Sequence, residues 1–127
     1  MQRLPDKDQP LRGTRILVVD DEFLIAAALE DALRDAGSDT VCALTLAAAL
    51  ECAGSERLSA AVLDVRLGRH SIEPVADALA ARQVPFMFYT GQALPEQLCG
   101  KYPHTKVLLK PAKQNMVVQA MLKVTVG

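Results

Sequence analysis

The chain has 127 residues, of which 50% are hydrophobic and 23% charged, with a formal net charge of −1. This is the balance of one compact globular domain, and a surface so near neutrality gives no electrostatic basis for binding DNA or RNA. No apolar run approaches the length of a membrane-spanning helix, about 20 residues. The polar start MQRLPDKDQP lacks the apolar stretch of a secretory leader, so a cytoplasmic protein with no membrane association is expected.

Residues 1–13 read as a flexible arm closed by Gly13. The run Ile16-Leu17-Val18-Val19, stopped by Asp20 and Asp21, has the unbroken apolarity of a parallel strand buried on both faces. A helix is predicted over 22–36, with Ile25, Leu29, Leu33 and Ala36 on one face and Gly37 as its stop. The alternation continues with a strand at 40–43 and an alanine-rich helix at 46–53 ended by Gly54. A strand at 60–63 follows, stopped by Asp64, and then a helix at 72–82 that tolerates Pro74 in its first turn. A strand at 84–89 is stopped by Thr90-Gly91, and a short helix is predicted at 95–101. A strand at 107–109 is stopped by Lys110-Pro111, and a closing helix at 113–124 carries Met116, Ala120 and Val124 at helical spacing. Strands alternating with helices predict an α/β domain with a parallel sheet. The domain is expected to span 14–127, with no output domain after it.

Cys42, Cys52 and Cys99 are odd in number, and none has the spacing of a zinc or redox pair. They are expected to be reduced thiols, Cys42 as a small core residue. His70 and His104 have no partner at ligand spacing and are expected in solvent.

What ends each apolar run carries the chemistry. In an open α/β sheet, ligands bind beyond the carboxyl ends of the strands. That edge collects Asp20, Asp21, Asp64, Thr90 and Lys110. Each has a bland explanation alone: an Asp after a strand caps or turns, Thr-Gly makes a turn, and Lys-Pro starts a loop. Together they require separate coincidences on one edge. Clustered carboxylates repel one another and call for a cation; magnesium, a hard ion that keeps some of its water, suits them. An Asp carboxylate can form an aspartyl phosphate. A metal and a lysine would stabilise the phosphoryl group in flight, while Thr90 and the backbone of Gly91 are placed to hold its remaining oxygens.

Asp20-Asp21, Asp64, Thr90 and Lys110-Pro111, in this order, resemble the receiver domains of bacterial response regulators over roughly residues 14–124. The resemblance implies a flavodoxin-like (βα)5 fold with a doubly wound parallel sheet in strand order 2-1-3-4-5. It implies that Mg2+ is held by Asp20, Asp21, Asp64 and the backbone carbonyl of Arg66. Asp64 would be phosphorylated by a histidine kinase or phosphotransfer protein, with Thr90, Gly91 and Lys110 at the phosphoryl group and a cis Lys110–Pro111 bond. Arg66 and Gln92 fall at positions that in the family flank the entry path to the phosphoryl group, and both are expected to tune hydrolysis. The stretch 85–91, PFMFYTG, and the stretch 65–79, VRLGRHSIEPVADAL, are similar to single-domain alphaproteobacterial receivers with a Phe-Ala-Thr-Gly-Tyr motif. Tyr89 and Gln92 depart from that motif. Val107 stands where ordinary receivers carry a switching aromatic residue, and Tyr89 is open to a related role or to plain packing.

A stand-alone receiver would signal by protein–protein interaction with a downstream protein, by a phosphorylation-dependent homodimer, or by draining phosphoryl groups from a kinase. It would not be an enzyme with a released product. Two other classes compete. A constitutive interaction module with this fold would dispense with the site residues, which are all present. A metal-dependent phosphohydrolase would require a general acid two residues after a nucleophilic Asp, which is absent here.

Overall fold

The computed structural model describes residues 9–126. Its main sheet contains β1 (Arg15–Val19), β2 (Asp39–Ala43), β3 (Ala60–Leu63), β6 (Phe86–Thr90) and β7 (Val107–Leu109), while β4 (Arg66–Leu67) and β5 (His70–Ser71) form a separate antiparallel hairpin. The helices are α1 (Phe23–Asp35), α2 (Leu46–Ser55), α3 (Glu73–Ala81), α4 (Glu96–Lys101) and α5 (Gln114–Val126). The main sheet is parallel throughout, in the order β2-β1-β3-β6-β7. With the hairpin left out of the count, this is the expected doubly wound, flavodoxin-like 2-1-3-4-5 topology.

Two cores explain the unbroken apolar strands. Leu17, Val19, Ala61, Leu63 and Phe88 pack with α2, α3 and Leu98 of α4. The alternate residues Ile16, Val18, Ala60, Val62 and Met87 pack with α1 and α5. Because side chains alternate across a strand, both layers are supplied only if every position is apolar. α1 ends as expected. Gly37, at φ +101°, follows the C-cap Ala36, and Ser38 N and Gly37 N donate to Leu33 O and Arg34 O. These are the paired bonds of a Schellman motif, which needs a left-handed residue.

Several expectations are corrected. The arm does not extend through residue 13, because Leu11 is fully buried and its amide donates to Ala36 O; the stretch 1–8 lies outside the described residues. Gly54 does not stop α2, which runs to Ser55. Cys42 is exposed. It sits on the edge strand β2, where Val41 and Ala43 turn to the α2 layer and Cys42 to the other face. Met116 is also exposed; of the expected α5 stripe Ala120 is buried and Val124 packs against the core, and Val117 and Met121 are buried beside them. The stripe thus begins at Val117 rather than Met116. The β4–β5 hairpin has no counterpart among the predicted elements, since its strands are too short to leave a periodic signal.

Candidate functional site

The site residues are placed by backbone bonds that continue the sheet past its strand ends. Asp20 N donates to Ala43 O, Asp64 N to Val19 O and Lys110 N to Thr90 O. β1 and β3 are neighbours, and the connections after them leave toward opposite edges of the sheet. Asp20, Asp21 and Asp64 therefore meet at the switch point where an open α/β sheet leaves a crevice.

Their carboxylates each present an oxygen within 4.8 Å of the others. Lys110 Nζ donates to Asp20 Oδ2 at 2.8 Å and lies 3.4 Å from Asp64 Oδ1. Asp20 is buried and Asp21 exposed, with Asp64 between them in accessibility. Burial and the neighbouring charge of Asp20 push the Asp64 carboxyl up to about 6, although Lys110 pulls it down. Burial, the largest single influence, would lower Lys110; the hydrogen bonds and charges of Asp20 and Asp64 together outweigh it and leave the ammonium raised. One ammonium thus faces three carboxylates, a net excess of negative charge in a half-shielded place.

Beyond these groups opens a cleft of about 570 Å³, whose walls include Arg66, Gly68, Thr90, Gly91, Gln92 and Lys110. Thr90 is buried, and its Oγ1 accepts from Gln92 N at 3.2 Å. Arg66 and Gln92 are exposed at the rim. The bland roles are also filled. Asp20 Oδ1 accepts from Glu22 N just before α1, and Thr90 closes a turn. Local turn bonds and convergence on one cleft coexist here.

No family model matches the chain, and no curated protein matches it. Solved structures do. The receiver domain of the PhyR response regulator from Erythrobacter litoralis is 30% identical, with a TM-score of 0.76 over 91% of this chain and 92% of that one. The chain belongs to the response-regulator receiver family. The receiver domain of a sensor histidine kinase from Pseudomonas aeruginosa, solved with a magnesium ion coordinated in its active-site cleft, is 23% identical, with a TM-score of 0.78 over 91% and 99% of the two chains. The chemotaxis protein CheY4 from Vibrio cholerae is 23% identical, with a TM-score of 0.77 over 87% and 98%.

In this receiver the cis Lys110–Pro111 bond is present. Asp20, Asp21, Asp64, Thr90, Gly91 and Lys110 share one end of the sheet, and Arg66 and Gln92 line the same cleft. The donor set fits a hard divalent cation: three carboxylate oxygens converge, and the Lys110 ammonium offsets only part of their charge among the described residues. His70 and His104 are exposed, as expected. Burial raises the Cys42 and Cys52 thiols, the opposite of a reactive thiolate. Two contacts had no signal in the sequence. Gly68 N donates to Asp21 Oδ2 at 2.9 Å, and Ala112 N donates to Tyr89 Oη at 3.0 Å. Both join segments far apart in the chain, and only the isolated Gly68 hinted at a special backbone position.

Proposed function

We propose that this receiver accepts a phosphoryl group on Asp64 from the phosphohistidine of a kinase or phosphotransfer protein. The observation that carries the reading is the placement of Asp64: its carboxylate lines the cleft, clustered with those of Asp20 and Asp21 and 3.4 Å from the Lys110 ammonium. An Asp64 oxygen attacks phosphorus, the P–N bond breaks, and its electron pair stays on the imidazole nitrogen of the donor. Asp20, Asp21, Asp64 and the Arg66 carbonyl would hold Mg2+, which when bound supplies positive charge against the phosphoryl oxygens. Lys110 would offset the developing charge, while the Thr90 hydroxyl and the Gly91 amide would donate to the oxygens left over. Asp64 must be ionised to attack, which its raised pKa allows at neutral pH and a cation would reinforce.

The phosphorylated domain would act by contact with a downstream protein, as a homodimer, or by drawing phosphoryl groups away from a kinase. Its product stays attached, so it is a phosphoacceptor rather than an enzyme with turnover. The subgroup likeness of residues 85–91 to Phe-Ala-Thr-Gly-Tyr receivers belongs to the same reading. The test is acid-labile labelling by acetyl phosphate in magnesium, resolved on a phosphate-affinity gel. Wild type should label and Asp64→Asn should not. Equal labelling of the two would move the acceptor elsewhere, and no labelling of wild type by acetyl phosphate or any histidine kinase would favour a constitutive interaction module.

A further inference from the structure

Lys110 carries its charge on a flexible four-carbon stem, so its surroundings decide where the ammonium rests. Two successive residues of β6 provide those surroundings. Thr90 O accepts the Lys110 amide at 2.8 Å. Tyr89, the preceding residue, faces the other layer of the sheet and is 6% exposed. Its ring centroid lies 5.6 Å from Lys110 Nζ, within reach of a cation–π attraction. Its hydroxyl accepts the Ala112 amide at 3.0 Å. Pro111 has no amide to give, so Ala112 supplies the next main-chain donor after Lys110. The loop is therefore tied to β6 on both sides of the Lys110–Pro111 bond, and the ammonium lies over the ring that makes the second tie.

We infer that Tyr89 is a positioning residue: it fixes Lys110 between Asp20 and Asp64 through its ring and through its bond to Ala112. A hydrogen-bonded tyrosine at this place is more than packing, because a phenylalanine of the same shape would leave the Ala112 amide without its acceptor. The inference rests on the proposed phosphoryl transfer to Asp64, and it assigns to that reaction a residue that touches neither phosphoryl group nor metal.

The two contacts separate experimentally. Tyr89→Phe keeps the ring and removes the tie; Tyr89→Leu removes both. With acetyl phosphate in magnesium, Tyr89→Phe should slow labelling by roughly threefold and Tyr89→Leu by on the order of tenfold. Exchange of the Ala112 amide should speed up in both variants. The decisive readout is a double-mutant cycle, because a residue acting through Lys110 has nothing left to act on once Lys110 is removed. In a Lys110→Ala background, Tyr89→Phe should cause no further loss of rate. An equal loss in both backgrounds would show that the tyrosine works by packing and would overturn the assignment. So would a Tyr89→Phe variant that labels at the wild-type rate while wild type itself labels normally. A wild type that takes no label would overturn the phosphoacceptor reading itself, and this assignment with it.

Discussion

Gly68 and Asp21 are 47 residues apart in the chain, yet the Gly68 amide donates to Asp21 Oδ2 at 2.9 Å. Asp21 is the exposed member of the carboxylate cluster, so without this bond its side chain would have the freedom of a surface residue. Gly68 reaches it at φ +60°, a conformation that costs an L residue with a side chain roughly 1–2 kcal/mol. The hairpin tip thereby orients Asp21 from across the cleft. Outer-shell donors of this kind tune metal sites.

Gly68→Ala is therefore expected to lower stability by about 1 kcal/mol and to weaken magnesium binding several-fold, since the amide shifts away from Asp21. No atom would crowd the added methyl group, which leaves backbone strain as the cause. Thermal melts with and without magnesium check both parts. Asp21→Ala should abolish most of the magnesium-induced rise in Tm, which in wild type grows with the logarithm of metal concentration.

The Asp64 carboxyl gives the protein a pH dependence whose sign is fixed. Burial and Asp20 raise it to about 6 in the folded state, above its ordinary value of 3.8. The folded state then holds the proton more tightly than the unfolded chain between those values. Without metal, this group's contribution is fully present below the lower value and is lost as pH rises through the upper one. Magnesium needs the ionised form, so the stabilisation it gives should grow as pH rises through about 6. Asp64→Asn should flatten the metal-free profile in this window and raise Tm at neutral pH, because it removes one of three mutually repelling carboxylates. Melts across the window, in chelator and in magnesium, test both directions. A metal-free profile unchanged by Asp64→Asn would mean that another group sets it.

The sequence made the sheet and most of the site legible for one physical reason. A strand buried on both faces is an unbroken apolar run, and its end is marked by the first polar residue. That rule located β3 and β7 to the residue, and with them Asp64 and Lys110. It is weaker where a strand lies at the edge, and there it places Cys42 in the core although the residue is exposed. It is silent on contacts between loops. Gly68 with Asp21, and Tyr89 with Ala112, depend on how separate strand ends are juxtaposed, which no local pattern encodes. Met116 shows the remaining weakness. Helical periodicity finds a stripe but not its first member when neighbouring residues are also apolar, as Val117 and Val118 are here.

The composition of residues 91–101, with Gly91, Pro95 and Gly100 around a very short helix, suggests a locally unstable segment that phosphorylation would order through Thr90. The structure divides it. Leu98 is buried, and Tyr102 N donates to Leu98 O. Lys101 Nζ donates to Glu73 Oε2 and Asp77 Oδ2 of α3, while the Tyr102 hydroxyl donates to Asp77 Oδ1. Burial and that bond raise the Tyr102 phenol to about 12, so it remains a donor throughout the physiological range. Hydrogen exchange should therefore be fast at 91–94 and slow at Tyr102. A beryllofluoride phosphate mimic should protect 91–94 through Thr90 and Gly91 and leave Tyr102 unchanged. Asp77→Ala should release the C-terminal end of α4 and speed exchange there. Uniform exchange over 91–102 in both states would show that α3 does not anchor α4.

The lifetime of the aspartyl phosphate is expected to depend on two side chains at the cleft rim. Hydrolysis requires a water in line with the departing Asp64 carboxylate, and the walls of the cleft decide whether one can stand there. Arg66 lies on β4, two residues after Asp64, and Gln92 lies two residues after Thr90; both are exposed and line the cleft. Their backbones are not free. Arg66 pairs with Ser71 in the hairpin, and Gln92 N donates to Thr90 Oγ1, so both side chains start from fixed points beside the phosphoryl position. Arg66 is long and cationic and can cover phosphoryl oxygens, which would hinder water. The Gln92 amide can orient a water toward phosphorus, as glutamines do in other phosphate-hydrolysing switches. Arg66→Ala is therefore expected to shorten the lifetime and Gln92→Ala to lengthen it. A tenfold change corresponds to about 1.4 kcal/mol in the barrier, the size expected of one or two hydrogen bonds. The measurement is the decay of phosphoprotein in magnesium after the phosphodonor is removed, for wild type and both variants. Three identical decay rates would show that both side chains point into bulk water and that access to Asp64 is set deeper in the cleft.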